Sequence, residues 1–186
     1  GGEMVRRAGL RVRTFYMGGG TPTTLSAPQL DRLMGELADH IDLSGCTEYT
    51  VEAGRPDTIT AEKLAVLARR GCSRVSVNPQ TMQDAVLERM GRAHRADDIL
   101  RAYALARESG IGCINMDLIA GLPGDSAEGF RASLEQVLDL GPENVTVHTL
   151  ALKKGSRLME EGGGLPSGAA VADMLDFAWA ALRGAG

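Results

Sequence analysis

The stretch RVRTFYMGGGTPTTLSAPQLDRLMGELADHI, residues 11–41, decides the fold. Val12 to Met17 is short, β-branched and aromatic, which predicts a strand. Three glycines follow, then TPT, a turn. Ser26 stands where a helix N-cap belongs, with Gln29 three residues on as its capping-box partner. Leu30, Leu33, Met34, Leu37 and Ile41 then recur at helical spacing. Strand, glycine turn and capped helix make one βα unit.

The same order repeats along the chain. A second strand is predicted over Thr47 to Ala53. A helix capped by Thr60 follows, with Leu64, Leu67 and Ala68 on its apolar face and Gly71 as its stop. A third strand spans Ser73 to Asn78. Helices follow at Asp84 to Met90 and at Ala96 to Ser109, the latter ended by Gly110. The fourth strand, Cys113 to Ile119, is apolar apart from Asn115 and Asp117, which suits a strand covered on both faces. A helix from Ser126 to Leu140 stops at Gly141 and Pro142. The fifth strand is Asn144 to Leu150, and Ala169 to Leu182 reads as a last helix. Strand–helix alternation without hairpin signals predicts an α/β protein with a parallel sheet. A doubly wound sheet and a barrel are both compatible with it. In either, ligands bind at the carboxyl ends of the strands.

Composition narrows the function classes. The 186 residues carry a formal net charge of -4, so no basic footprint for nucleic acid is present. No apolar run is long enough to span a membrane. Residues 1–11 lack the apolar core of a secretion signal and are expected to lead straight into the first strand. Cys46, Cys72 and Cys113 are odd in number and far apart, which speaks against a disulfide framework or a local metal site. They read as buried small hydrophobes in a reducing cytoplasm. The chain opens without Met and stops at GAG, so a fragment of a longer protein is expected.

The strand ends collect polar groups. The first ends in Gly18, Gly19, Gly20 and Thr21, the second in Glu52, the third in Asn78 and Gln80. Asn115 and Asp117 share one face of the fourth strand, and Thr146 and His148 one face of the fifth, because side chains alternate. Consecutive glycines let backbone N–H and C=O groups approach a ligand, although a tight structural turn would look the same. The run is not GxGxxG, and no P-loop Lys or Ser/Thr accompanies it. A carboxylate inside an apolar strand, as at Asp117, needs a partner such as an Arg or backbone N–H groups, or a ligand. His148 reads as a satisfied core histidine, and His40 and His94 as solvated positions. No Ser/His/Asp arrangement suggests nucleophilic catalysis, and no catalytic side chain is assigned.

Taken in series, GGGTPT (Gly18 to Thr23), the Glu52 strand, RVSVNPQTM (Arg74 to Met82), GRAH (Gly91 to His94) and NMDLIAGLPGD (Asn115 to Asp125) resemble one family. It is the oxygen-independent coproporphyrinogen III oxidase (dehydrogenase) family of radical S-adenosylmethionine enzymes. The segments NPQTM, INMDLIAGLP and TVHTLALKKGSRL are most similar to its HemZ branch. The resemblance implies a partial parallel (β/α)6 barrel over residues 12–158, truncated at its N-terminus. Residues 159–186 would then form a linker and a C-terminal helix. It implies that a [4Fe-4S] cluster cleaves S-adenosylmethionine reductively, with an unidentified reductant supplying the electron. A 5′-deoxyadenosyl radical then attacks the propionates of coproporphyrinogen III to give protoporphyrinogen IX in the cytoplasm. It places S-adenosylmethionine contacts at Gly19, Gly20, Thr21, Glu52, Gln80, Arg92, Asp117 and Ala151.

Two departures stand out. The CxxxCxxC motif that holds the family's cluster is absent, and the three cysteines cannot replace it by spacing. No metal ligand is therefore assigned in this chain, and the chain alone is expected to be inactive. Gly54 and Arg55 precede Pro56 where many members have Asn or Asp next to Pro, which bears on the local turn. The same family contains heme chaperones of the HemW type, a binding function the resemblance leaves open.

Overall fold

The computed structural model describes residues 2–151 and 164–185. The expected boundary at 158 and 159 lies outside them, as does the KKGSRL segment, residues 153–158. In chain order the elements are α1 (Gly2–Arg7), β1 (Thr14–Met17), α2 (Ala27–His40), β2 (Glu48–Ala53), α3 (Ala61–Arg69), β3 (Arg74–Gln80) and α4 (Asp84–Arg89). Then come α5 (Ala96–Glu108), β4 (Cys113–Ala120), α6 (Ala127–Leu140), β5 (Asn144–Thr149) and α7 (Gly168–Gly184). Short 3-10 turns at Pro22–Thr24 and Pro56–Thr58 follow β1 and β2.

The helix α1 corrects the expectation that the chain leads straight into a strand. It is an exposed single turn and a half in which Arg7 pairs with Glu3 one turn earlier. The predicted caps at Ser26 and Thr60 are in place: Ser26 and Gln29 form the reciprocal capping box, and Thr60 accepts from the N–H three residues on. Ser126, expected as the first residue of its helix, is the cap of α6 instead and accepts from the Gly129 N–H.

The five strands form one sheet in the order β1-β2-β3-β4-β5. An order that never reverses has no switch point, so the doubly wound alternative falls and the barrel-type arrangement stands. Neighbours run parallel, with Tyr16 opposite Thr50, Glu52 opposite Ser76 and Asp117 opposite Thr146.

By contacts the chain divides into two compact units: Gly1–Val77 with Arg101–Ile114, and Asn78–Leu100 with Asn115–Gly186. The first has Leu30 and Met34 of α2, Leu64 and Leu67 of α3, and Val51 and Val75 of the strands in its core. Phe15 meets the Tyr49 ring edge-on at 5.0 Å. Asp31 of α2 joins Arg69 and Arg70 at the end of α3, at 3.0 and 2.7 Å. In the second unit α6 packs on α7, with Phe130, Leu134, Val137, Met174 and Ala178 buried. Each fully buried Leu or Phe contributes about 1.5–3 kcal/mol. No helix among the described residues is long and apolar enough to cross a membrane.

Candidate functional site

Every strand divides its residues by alternation. On β2, Tyr49, Val51 and Ala53 are buried while Glu48, Thr50 and Glu52 take the other face. On β3, Val75 and Val77 alternate with Arg74, Ser76, Asn78 and Gln80. On β4, Ile114, Met116, Leu118 and Ala120 are wholly buried, and Asn115 and Asp117 lie opposite. On β5, Asn144, Thr146 and His148 share a face. Each strand thus carries one apolar and one polar row, where the sequence had shown this only for the last two.

In the first unit the structure brings Glu52 and the glycine turn together. Glu52 Oε2 accepts from the Gly19 N–H at 3.0 Å and from the Tyr16 hydroxyl at 3.3 Å. A Cβ on Gly18 would lie 2.6 Å from that same oxygen and 2.3 Å from the Tyr16 ring, so any larger residue there would push these two side chains aside. Gly19 and Gly20 have φ of 78° and 60°, and Thr21 follows at 52°, a left-handed run that is unusual for threonine. The turn therefore exposes backbone next to a fixed carboxylate. Tyr16 was missed in the sequence; its place two residues before Gly18, on the Glu52 side of the alternation, is the signal that could have found it.

The turn after β2 keeps its shape despite Gly54 and Arg55. The Thr58 N–H and hydroxyl both donate to the Arg55 carbonyl, at 2.9 and 2.7 Å, and Arg55 pairs with Asp57.

In the second unit Asp117 is mostly buried, with 17% of its side chain exposed. Among the described residues its partner is neither an Arg nor backbone: the Asn115 amide donates to Oδ1 at 2.6 Å, and Thr146 donates to Asn115 Oδ1 at 3.0 Å. His148 Nε2 lies 3.9 Å from Asp117 Oδ2. The His148 side chain is 56% exposed, which corrects its reading as a core histidine; it belongs to the polar row of an outer strand. His94 is the reverse: expected in solvent, it is buried at 3% exposure just after the α4 cap.

Gln80 closes β3 with φ of 70°, a conformation that costs a non-glycine residue about 1–3 kcal/mol. The next residue, Thr81, is buried and shares a hydrogen bond with Ser133 of α6, whose hydroxyl also accepts from the Met82 N–H at 3.1 Å. The strain is thus held by side chains 50 residues away, which no local pattern signals. The Arg92 N–H closes the end of α4 on the Leu87 carbonyl at 2.9 Å. Ala151 follows β5 in an exposed position.

The cysteines are free, and only Cys72 is buried; Cys46 and Cys113 are half-exposed, against the expectation of three core thiols. Burial pushes the Cys72 thiol up to about 12, which makes it inert as a nucleophile or ligand at neutral pH. No three His, Cys, Asp or Glu side chains gather to hold a metal among the described residues. The Gly19–Glu52 cradle, with a carboxylate and accessible backbone side by side, suits a ligand carrying ammonium, carboxylate and hydroxyl groups.

A consecutive parallel βα sheet with polar strand ends and a glycine turn at the first of them defines a class. Residues 2–137 match the profile of the radical SAM superfamily, and the chain belongs to that superfamily. Its fold uses S-adenosylmethionine and a [4Fe-4S] cluster. Among relatives, the chain is 45% identical over 158 residues to the oxygen-independent coproporphyrinogen-III oxidase-like protein HemZ of Bacillus subtilis, covering 84% of this chain and 32% of HemZ. It is 37% identical over 155 residues to the heme chaperone HemW of the same organism, covering 81% of this chain and 41% of HemW. Among solved structures, coproporphyrinogen III oxidase (HemN) of Escherichia coli superposes with a TM-score of 0.86 at 30% identity, over 100% of this chain and 44% of HemN. The chain thus spans less than half of each of these proteins.

Proposed function

We propose that the chain forms the S-adenosylmethionine-binding wall of a HemZ-like coproporphyrinogen III dehydrogenase, a cytoplasmic enzyme of heme biosynthesis. The observation that carries the reading is the Glu52 carboxylate fixed at 3.0 Å on the Gly19 N–H, at a glycine turn with its backbone exposed. The likeness to HemZ, at 45% identity, supports the substrate class. The three free thiols suit a reducing compartment.

Backbone at Gly19, Gly20 and Thr21 would receive the methionine end of S-adenosylmethionine. Glu52 would accept from its ammonium and Asp117 from ribose hydroxyls. Arg92 would pair with its carboxylate, a charge-assisted contact. Gln80 would donate or accept through its amide, and backbone at Ala151 would border the base. When bound with its cluster, S-adenosylmethionine supplies the hydrogen-abstracting radical for the decarboxylation of coproporphyrinogen propionates. Asn115 and Thr146 hold Asp117 with its Oδ1 already engaged, which leaves Oδ2 for the ligand or for His148.

A heme chaperone is the second reading, favoured by the 37% identity to HemW. The full-length, cluster-reconstituted protein decides. With dithionite and S-adenosylmethionine it should release 5′-deoxyadenosine and consume coproporphyrinogen III. Stable heme binding with no turnover would establish the chaperone instead. Glu52→Gln and Asp117→Asn should each weaken S-adenosylmethionine binding about tenfold, the loss of a charge-assisted hydrogen bond. Unchanged affinity in both would refute the site.

A further inference from the structure

The glycines take their left-handed φ without strain, but Thr21 at 52° holds it only where its surroundings fix the turn. The Thr24 N–H and hydroxyl both donate to the Thr21 carbonyl, at 3.0 and 2.8 Å, and a second hold on this turn comes from α3. Lys63, in its first turn, sends Nζ to the Thr23 carbonyl at 2.6 Å and to the Thr58 carbonyl at 2.9 Å. Beneath the ammonium the two threonine hydroxyls meet at 2.7 Å, and Thr23 is wholly buried. The Thr58 hydroxyl spends its proton on the Arg55 carbonyl, so Thr23 is the donor in that pair.

The two carbonyls belong to the 3-10 turns after β1 and β2. One ammonium therefore ties the end of the strand that carries the glycines to the end of the strand that carries Glu52. Above this tie lies the Gly19 to Glu52 bond. A lysine suits the place because its compact head has three donors that can point in separate directions, whereas the arginine fork is planar.

We propose that Lys63 is a positioning residue for S-adenosylmethionine: by joining the two turns it holds the Gly19–Gly20–Thr21 backbone in its left-handed run beside Glu52. This rests on the proposed S-adenosylmethionine site, and the test separates the two. In the full-length, cluster-reconstituted protein, S-adenosylmethionine affinity is measured by equilibrium dialysis and amide exchange over residues 18–24 by mass spectrometry.

Lys63→Met keeps the stem and removes the donors. It should weaken binding at least fivefold and speed exchange across 18–24. Lys63→Arg keeps the charge but not the separately aimed donors, and should recover only part of the affinity. Val66→Ala, a core truncation on the same helix, should lower Tm to a similar degree while leaving affinity and 18–24 exchange near wild type. If Glu52→Gln binds weakly but Lys63→Met binds normally, the positioning role is overturned and the site stands. If both bind normally, site and role fall together. Should Lys63→Met fail to fold, Lys63→Gln, which keeps a polar head but loses the charge and the three separately aimed donors, is held to the same two results.

Discussion

At the scale of single residues, Gly18 and Gly19 adjoin in sequence yet are glycine for different reasons. Gly18 lacks room, because Tyr16 and the Glu52 oxygen occupy the place of a Cβ. Gly19 has open space but a φ of 78°. Gly18→Ala should cost about 1–3 kcal/mol by overpacking and should also displace Glu52. Gly19→Ala should cost about 1–2 kcal/mol from backbone strain alone. Urea unfolding of both variants measures the costs. The Tyr16 to Glu52 contact should be disturbed only in the first, visible as a change in tyrosine fluorescence. A Gly18→Ala variant as stable as wild type would show that the turn is looser than described. The sequence marked this glycine turn as a candidate ligand contact or a tight structural turn but could not separate the two causes, since neither a φ nor a neighbour 34 positions away is written in a triplet of identical letters.

Elements show why some features were legible and others not. Ser26 and Thr60 were readable as caps because a cap is a local contract between residues three apart. The helix α1 was not, because its support is a single exposed ion pair rather than an apolar stripe. The strand β3 runs on to Gln80, past the expected end at Asn78, since its Pro79 sits near the strand's end where the ladder can spare a donor. The joint of α2 and α3 was equally invisible: Asp31 lies 38 and 39 positions from its two arginines. Their hydrogen bonds hold the Asp31 carboxyl down at about 2. A depressed carboxyl contributes stability above its unfolded value near 3.9 and loses it as pH falls through about 2. Asp31→Asn should therefore lower the urea midpoint slightly at pH 7, less so in high salt, and the two proteins should converge near pH 2. A difference that survives at pH 2 would point to packing rather than charge.

For the molecule as a whole, the burial of the strands sets a gradient of protection. The inward residues of β4 are wholly buried, whereas β1 and β5 are only partly covered in this chain. Amides of β4 should exchange slowest, those of β1 and β5 markedly faster, in a hydrogen-exchange experiment on the chain. Uniform protection across all five strands would contradict this. The βα rhythm was readable from sequence because it rests on periodicity, and the superfamily followed from motifs taken in order; the strand order was not, because periodicity fits a doubly wound sheet as well as a barrel. The identity of Asp117's partners was not, because Asn115 lies on the same strand but Thr146 and His148 arrive through another.

The alternation along the strands has one more consequence. Scaffold and polar groups are interleaved letter by letter: Val51, Val75, Met116 and Leu118 are wholly buried, while the opposite row mixes part-exposed Glu52 and Asp117 with the buried Ser76 and Asn115. A substitution of Glu52 or Asp117 therefore alters what the sheet can bind at little cost in packing, whereas one at Ser76 or Asn115 also disturbs the interior.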